Sequence, residues 1–174
     1  MNADQIKQAI RAIPNFPLEG VIFRDITTVL QDSNLFNSAV SLIADRYPKG
    51  SIDKVAAVEA RGFIFGAAVA RELGVGFVPI RKKGKLPYKT IEASYDLEYG
   101  SATLEIHLDA ISKGENILVV DDLLATGGTA AAAATLIDQL GGQIKEFAFL
   151  IELCAFKGRD KIIRYPIFST MCYE

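Results

Sequence analysis

The spacing of apolar residues in the first part of the chain predicts two helices. Three isoleucines recur at helical spacing before Pro14, so we expect a short amphipathic helix that ends near that proline. Ser33 is expected to cap a second helix, whose apolar face continues until Pro48. The segment 16–20 between the two helices is expected to be irregular. The isoleucines are Ile6, Ile10 and Ile13.

Further along, short apolar runs alternate with helical patterns. Such alternation predicts an α/β fold with an open, mainly parallel twisted sheet flanked by helices. The segment 103–109 instead alternates polar and apolar residues with period two, which indicates an antiparallel excursion with one polar face. His107 falls on that polar face, so a solvated position is expected for it. The apolar runs expected to be strands are 55–58, 75–80, 117–120 and 147–153, and the expected helices are 62–74 and 129–140.

Composition and charge limit the classes of function. The 19 basic and 21 acidic residues leave a formal net charge of -2, so no overall field favours nucleic acid or a membrane surface. The N-terminal segment carries charges where a signal peptide is apolar, which favours a cytoplasmic protein. Cys154 and Cys172 have no metal-binding spacing, and they are expected to be two separate reduced thiols.

One segment has the features of a phosphate site. A predicted buried strand is followed by Asp121 and Asp122, a glycine-rich turn and a predicted helix. The N–H groups at a helix N-terminus attract anions, and glycines allow close approach, so this turn is expected to bind a phosphate. The two carboxylates would then accept hydrogen bonds from ribose hydroxyls. The alternative is that these aspartates only cap a turn. The residues of the turn are Ala125, Thr126, Gly127, Gly128 and Thr129.

The segment 119–129 resembles the phosphoribosyl-diphosphate (PRPP) signature of the type I phosphoribosyltransferase family. Segments 16–26, 59–63, 81–87 and 98–100 resemble the adenine-specific members of that family. The resemblance implies one domain spanning 1–174, with a core of about 34–155. It also implies a small N-terminal hood of about 1–33 joined by the C-terminal segment, and an antiparallel flexible-loop excursion.

The resemblance further implies transfer of the 5-phosphoribosyl group from PRPP to N9 of adenine, giving AMP and pyrophosphate. Mg²⁺ is the implied cofactor, held through substrate and water rather than directly by protein ligands. The family also implies a homodimer, in which residues 82 to 100 close over the substrate. Residues 81–87, called the cationic segment below, are implied to reach the neighbour's pyrophosphate.

Individual residues receive roles from the same resemblance. Glu98 is the implied proton handler, and Arg61 and Lys85 are implied to act in catalysis. A cis peptide is implied between Glu59 and Ala60. The ordinary alternatives are solvated charges for Glu98, Arg61 and the cationic segment, and core positions for the apolar residues near adenine. The implied pyrophosphate-binding residues are Glu59, Ala60, Arg61, Arg81, Lys82 and Lys85, and the implied adenine-binding residues are Ile22, Phe23, Arg24 and Leu153.

Three other functions compete with this interpretation. A phosphoribosyltransferase for a 6-oxopurine would share most motifs, but the adenine-type segment 16–26 counts against it. A PRPP-sensing regulator would bind nucleic acid, usually through an added domain or a basic face, and neither is expected from the length and charge of this sequence. A structural dimerisation module would give no reason for two aspartates beside two glycines.

Overall fold

The computed structural model describes residues 1–96 and 100–174. Within these two ranges the chain forms five α-helices, nine strands and two 3-10 helices. The helices are α1 (Ala3–Ala9), α2 (Thr27–Leu30), α3 (Ser33–Ala44), α4 (Arg61–Leu73) and α5 (Gly128–Leu140), and the 3-10 helices span Cys154–Phe156 and Gly158–Ile162. The strands are β1 (Arg11–Pro14), β2 (Ile22–Asp25), β3 (Lys54–Val58), β4 (Gly76–Lys82), β5 (Thr90–Asp96), β6 (Ser101–His107), β7 (Asn116–Leu124), β8 (Gln143–Leu153) and β9 (Ile167–Tyr173).

The main sheet has the strand order β5-β6-β4-β3-β7-β8-β9. Strands β4, β3, β7, β8 and β9 run parallel, while β6 pairs antiparallel with both β4 and β5. The open, mainly parallel sheet and its antiparallel excursion are therefore confirmed. A separate antiparallel pair, β1 with β2, lies near the N-terminus.

Helices cover both faces of the sheet. Alternate residues of β7 face opposite layers: Ile117 and Val119 pack in the cluster with α5, whereas Leu118 and Val120 pack in the cluster with α1, α3 and α4. A strand buried on both faces has no polar alternation, which explains its continuous apolar run. Alanines along α5 are buried on its sheet-facing side, and their small size allows the helix to approach the strands closely.

Two predicted helix boundaries were wrong. Helix α1 ends at Ala9, and Ile13 belongs to β1, because that segment pairs with β2 instead of continuing the helix. The N-cap of α3 is Asp32 and not Ser33, since the carboxylate of Asp32 accepts the backbone N–H groups of Asn34 and Leu35. These local and tertiary hydrogen bonds decide boundaries that apolar spacing leaves open.

The expectation of two separate cysteine thiols was also wrong. The structure joins Cys154 and Cys172 in a disulfide, with their Cα atoms 6.1 Å apart. Strands β8 and β9 are parallel neighbours that pair Leu153 with Tyr173, so the residues next to these positions are brought side by side. This proximity comes from strand β9, which the apolar pattern did not predict.

Among the described residues, no helix has the length and hydropathy needed to cross a bilayer.

Candidate active site

The predicted site residues come from three neighbouring strands. Glu59 follows β3, Asp121 and Asp122 lie near the end of β7, and β4 leads into the cationic segment at Lys82. Strands β4, β3 and β7 are adjacent and parallel, so their carboxyl ends meet at one edge of the sheet. Ligands bind at this edge in open α/β folds.

The glycine-rich turn begins helix α5. Gly127 is the N-cap residue and has a φ of 77°, in the left-handed region that favours glycine. A Cβ at this position would collide with the backbone oxygen of Gly158. The first N–H groups of a helix have no acceptor within the helix, so those at the start of α5 are available to an anion.

The two aspartates have different environments. Asp122 is 6% exposed and forms an ion pair with Arg61, with 2.6 Å between its Oδ2 and the Nε of the arginine. Asp121 accepts the backbone N–H of Asp122, and a Cβ on Gly62 would lie only 2.5 Å from its Oδ1. Burial, and then the neighbouring charge of Asp122, raise the pKa of Asp121 well above its ordinary value. The two carboxyl groups therefore differ: burial raises the pKa of Asp121, whereas Asp122 is paired with a cation.

Glu59 connects β3 to the cationic segment. Its carboxylate accepts the backbone N–H of Lys82 at 2.7 Å and the guanidinium of Arg81 at 3.2 Å. Burial favours the neutral acid, but these hydrogen bonds outweigh burial and lower the pKa of Glu59. The peptide between Glu59 and Ala60 is cis, as the family resemblance implied. The side chains of Lys82 and Lys85 are exposed.

Arg61 links the aspartates to the N-terminal strand pair. Its guanidinium lies 5.6 Å from the centre of the Phe23 ring, which also makes an edge contact with Phe16. Arg24 lies 3.9 Å above the ring of Tyr173, in the strand next to Leu153. The predicted adenine-binding residues thus sit on β2 and at the end of β8.

A cavity of about 420 Å³ opens at the carboxyl edge of the sheet. It brings together ten residues predicted from sequence. The cationic residues at 81, 82 and 85 and the predicted adenine-binding residues are not among the described residues that line it. The ten are Glu59, Ala60, Arg61, Asp121, Asp122, Ala125, Thr126, Gly127, Gly128 and Thr129. Glu98 lies outside the described residues.

Several residues at the site were missed by the sequence analysis. Phe149 lines the cavity from β8, and the hydroxyl of Thr129 donates to the hydroxyl of Tyr95 at 3.2 Å. Gly158 packs against the turn that contains Gly127. Their partners are distant in sequence, so no local pattern identifies these residues. His107 is half-buried beside Tyr88 rather than fully solvated, and its Nε2 has no hydrogen-bond partner among the described residues.

Comparisons with known proteins agree with this geometry. The pattern that defines the phosphoribosyl transferase domain matches residues 25–166. The chain is 54% identical over 169 residues to the adenine phosphoribosyltransferase of Desulfosudis oleivorans, and the match covers 97% of this chain and 98% of that protein. It is 52% identical over 168 residues to the adenine phosphoribosyltransferase of Methylacidiphilum infernorum, covering 97% and 94%. The chain belongs to the adenine phosphoribosyltransferase family.

Solved structures of the family share its fold. The adenine phosphoribosyltransferase of Thermoanaerobacter pseudethanolicus superposes with a TM-score of 0.95 at 48% identity, covering 99% of this chain and all of that one. The Saccharomyces cerevisiae structure has a TM-score of 0.91 at 43% identity and covers 97% and 98%. That yeast protein was crystallised with an imino-altritol bisphosphate and adenine.

Proposed function

We propose that this chain is an adenine phosphoribosyltransferase, which joins N9 of adenine to C1 of PRPP and releases pyrophosphate. The product is AMP, so the reaction is a step of purine salvage. The observation that carries this proposal is the cavity in which the start of α5 meets the Arg61–Asp122 ion pair. That combination offers N–H donors for a phosphate and carboxyl groups for a sugar within one pocket.

The turn at 125–129 is assigned to the 5-phosphate of the substrate. Its N–H groups and the dipole of α5 favour an anion, and Thr126 and Thr129 add hydroxyl donors. Asp122, which is charged, would accept a hydrogen bond from a ribose hydroxyl. Asp121 has a raised pKa and its protonated form would donate one.

The cofactor Mg²⁺ fits the donor set at this edge. Asp122 is ion-paired with Arg61, so its carboxylate has few free oxygens to offer to a cation. Mg²⁺ commonly keeps water and phosphate oxygens as ligands, which suits a site with few protein ligands. When bound, it would offset the negative charge that develops on the leaving pyrophosphate.

Pyrophosphate is assigned to the residues around Glu59 and the cationic segment. Arg61 lies in the cavity, and Glu59 holds the main chain of Lys82 and the side chain of Arg81 near it. Lys85 would supply a further cation. The closing of residues 82 to 100 over the substrate remains a proposal. The reach of this segment to a partner in a homodimer is a second proposal, which sedimentation analysis and mixed-variant dimers would test.

Adenine is assigned to β2 and the end of β8. Backbone groups of Ile22 and Arg24 would read the N1 and N6 edge, while Phe23 and Leu153 would form the walls of the base site. A 6-oxopurine presents the opposite hydrogen-bonding polarity and would leave polar groups unpaired. As the glycosidic bond forms, the N9 proton leaves adenine, and Glu98 is proposed to accept it.

The test mixes the purified protein with PRPP, Mg²⁺ and one base at a time: adenine, hypoxanthine, guanine or xanthine. We expect AMP from adenine and little product from the others. IMP or GMP as the main product would contradict the base assignment, and no product from any base would contradict the enzyme assignment.

A matched pair of variants checks that the cavity performs the reaction. Asp122→Asn keeps the size of the side chain but removes its charge, and AMP formation should fall at least about tenfold. Asp138→Asn is the control, because Asp138 lies at the far end of α5 and its carboxylate accepts hydrogen bonds only from Arg164 and Tyr165 among the described residues. Equal activity of the two variants would remove Asp122 from the site.

The cytoplasmic location expected from the sequence also remains a proposal. The Cys154–Cys172 bond weighs against it, because reducing compartments keep most thiols reduced. Fractionation of the native host cells would test it.

A further inference from the structure

Glu105 is a buried acidic residue for which the proposed reaction has no role. Three acidic residues are buried among the described part of the chain: Glu105, Asp122 and Glu152. The other two pair with arginines, Arg61 and Arg159. Glu105 is 3% exposed, and no ion pair within residues 1–96 and 100–174 includes it. A buried charge of this kind requires compensation from other groups.

That compensation comes from the main chain of the cationic segment. Oε1 of Glu105 accepts the backbone N–H groups of Lys85 at 2.8 Å and Leu86 at 2.7 Å. Burial raises the pKa of Glu105, but hydrogen bonds from these backbone groups, from Gly84 and from the hydroxyl of Thr90 outweigh burial and lower it. The carboxylate is therefore charged at neutral pH, and its hydrogen bonds are of the stronger, charge-assisted type.

The cationic segment is thus held at both ends by carboxylates. Glu59 accepts the N–H of Lys82 on one side of the turn, and Glu105 accepts those of Lys85 and Leu86 on the other. Between them Gly84 has a φ of 83°. Because both carboxylates bind the main chain, the side chains of Lys82 and Lys85 stay exposed to a ligand.

We propose that Glu105 is a positioning residue: it fixes the main chain at Lys85 and Leu86 so that the lysines of this segment are arranged to bind pyrophosphate. The proposal rests on the proposed function, because it assigns the role of the segment from it. Glu105 itself does not touch the substrate. By restricting the conformations of the free cationic segment, Glu105 lowers the free-energy cost of ordering that segment when the ligand binds.

The experiment compares Glu105→Gln and Glu105→Ala with Glu115→Gln. Glu115 is the matched control because its carboxylate also accepts a main-chain N–H group, that of Ser112 at 2.8 Å, but it precedes β7 at the opposite end of that strand from the site. Its ion pair is with Lys54, which lies outside the cationic segment. We expect Glu115→Gln to bind every ligand as the wild type does.

For Glu105→Gln we expect the KM for PRPP to rise about tenfold, because charge-assisted hydrogen bonds become neutral ones. The KM for adenine should change less than about twofold. In calorimetry, affinity for magnesium pyrophosphate should fall as the KM for PRPP rises. Affinity for AMP, which is assigned to the turn at 125–129, β2 and the end of β8, should stay near that of the wild type. Amide hydrogens of residues 84–86 should exchange faster, and Glu105→Ala should show larger effects of the same kind.

Two results would overturn the proposal. One is wild-type affinity for pyrophosphate and PRPP in Glu105→Gln. The other is an equal loss of AMP and pyrophosphate affinity, which indicates a general structural role. If Glu105→Ala does not fold, the proposal is tested with Glu105→Gln alone. Failure of the proposed function is seen separately, as a wild-type protein that binds neither AMP nor pyrophosphate.

Discussion

Replacing Gly127 by alanine tests whether the turn before α5 depends on close backbone contact. Gly127 has a positive φ, and an alanine in the left-handed region costs about 1–2 kcal/mol. The added Cβ would also collide with the backbone oxygen of Gly158, which cannot move as a flexible side chain does. Overpacking of this kind costs roughly a further 1–3 kcal/mol. We therefore expect Gly127→Ala to lower the free energy of unfolding by about 2–5 kcal/mol.

Gly114→Ala separates the two contributions. Gly114 precedes β7 at the opposite end of that strand from the site, has a φ of 88°, and would place its Cβ with no heavy atom within 4 Å. In Gly114→Ala the free energy of unfolding should fall only by the conformational cost of alanine at a positive φ, about 1–2 kcal/mol. The entropy that alanine removes from the unfolded chain is the same in both variants, so it cancels in their difference.

The assay is urea unfolding of the two variants and the wild type, followed by calorimetric titration with AMP. We expect the free energies of unfolding of the two variants to differ by about 1–3 kcal/mol. AMP affinity should fall at least roughly tenfold in Gly127→Ala alone, because relief of the clash displaces the N–H groups of the turn. The reasoning is refuted if Gly127→Ala is no less stable than Gly114→Ala and binds AMP equally well.

Three further outcomes follow from the electrostatics and the disulfide. Because the fold raises the pKa of Asp121, the contribution of this residue to stability is most favourable below the ordinary value of 3.8 and is lost as pH rises. In urea unfolding from pH 4 to 8, the difference in stability between Asp121→Asn and wild type should shift in favour of the variant as pH rises, and a constant difference would contradict the raised pKa. Arg159→Met leaves Glu152 without its two hydrogen bonds of 2.7 Å and should lower thermal stability by about 1–2 kcal/mol, whereas an unchanged Tm would show the pair to be energetically neutral. In the denatured, unreduced protein, neither Cys154 nor Cys172 should react with an alkylating reagent, and two reactive thiols would exclude the disulfide. Reduction of the disulfide should lower the free energy of unfolding by about 3 kcal/mol, given the length of the segment that it closes.

The phosphate turn could be predicted because its signals are contiguous in the sequence. A buried strand, two aspartates, a glycine pair and a helix-forming alanine run follow one another between 117 and 140. Each signal has a physical cause: burial on both faces keeps residues 117–120 of β7 apolar, and the left-handed N-cap requires Gly127. The same contiguity explains why strands β3 and β4 and helix α4 were predicted nearly to their ends.

Predictions failed where a partner distant in sequence decides the structure. Ile13 continues the helical spacing of α1, but pairing of β1 with β2 places it in a strand. Period two predicted a polar face on β6, yet Glu105 is buried under the cationic segment. Strand β9 and the contact of Cys154 with Cys172 depend on pairing with β8. Such pairings depend on tertiary packing, which local propensity does not determine.

The carboxylates near the cavity suggest why a site that binds anions is surrounded by acids. Glu59 and Glu105 accept main-chain N–H groups of the cationic segment, and Asp122 holds the guanidinium of Arg61. Each acid therefore fixes the position of a cationic residue rather than competing for it at the ligand. A highly charged substrate such as PRPP could be bound by mobile lysines and arginines, but ordering them would reduce the binding energy. Cations that are held in place by these acids avoid that loss.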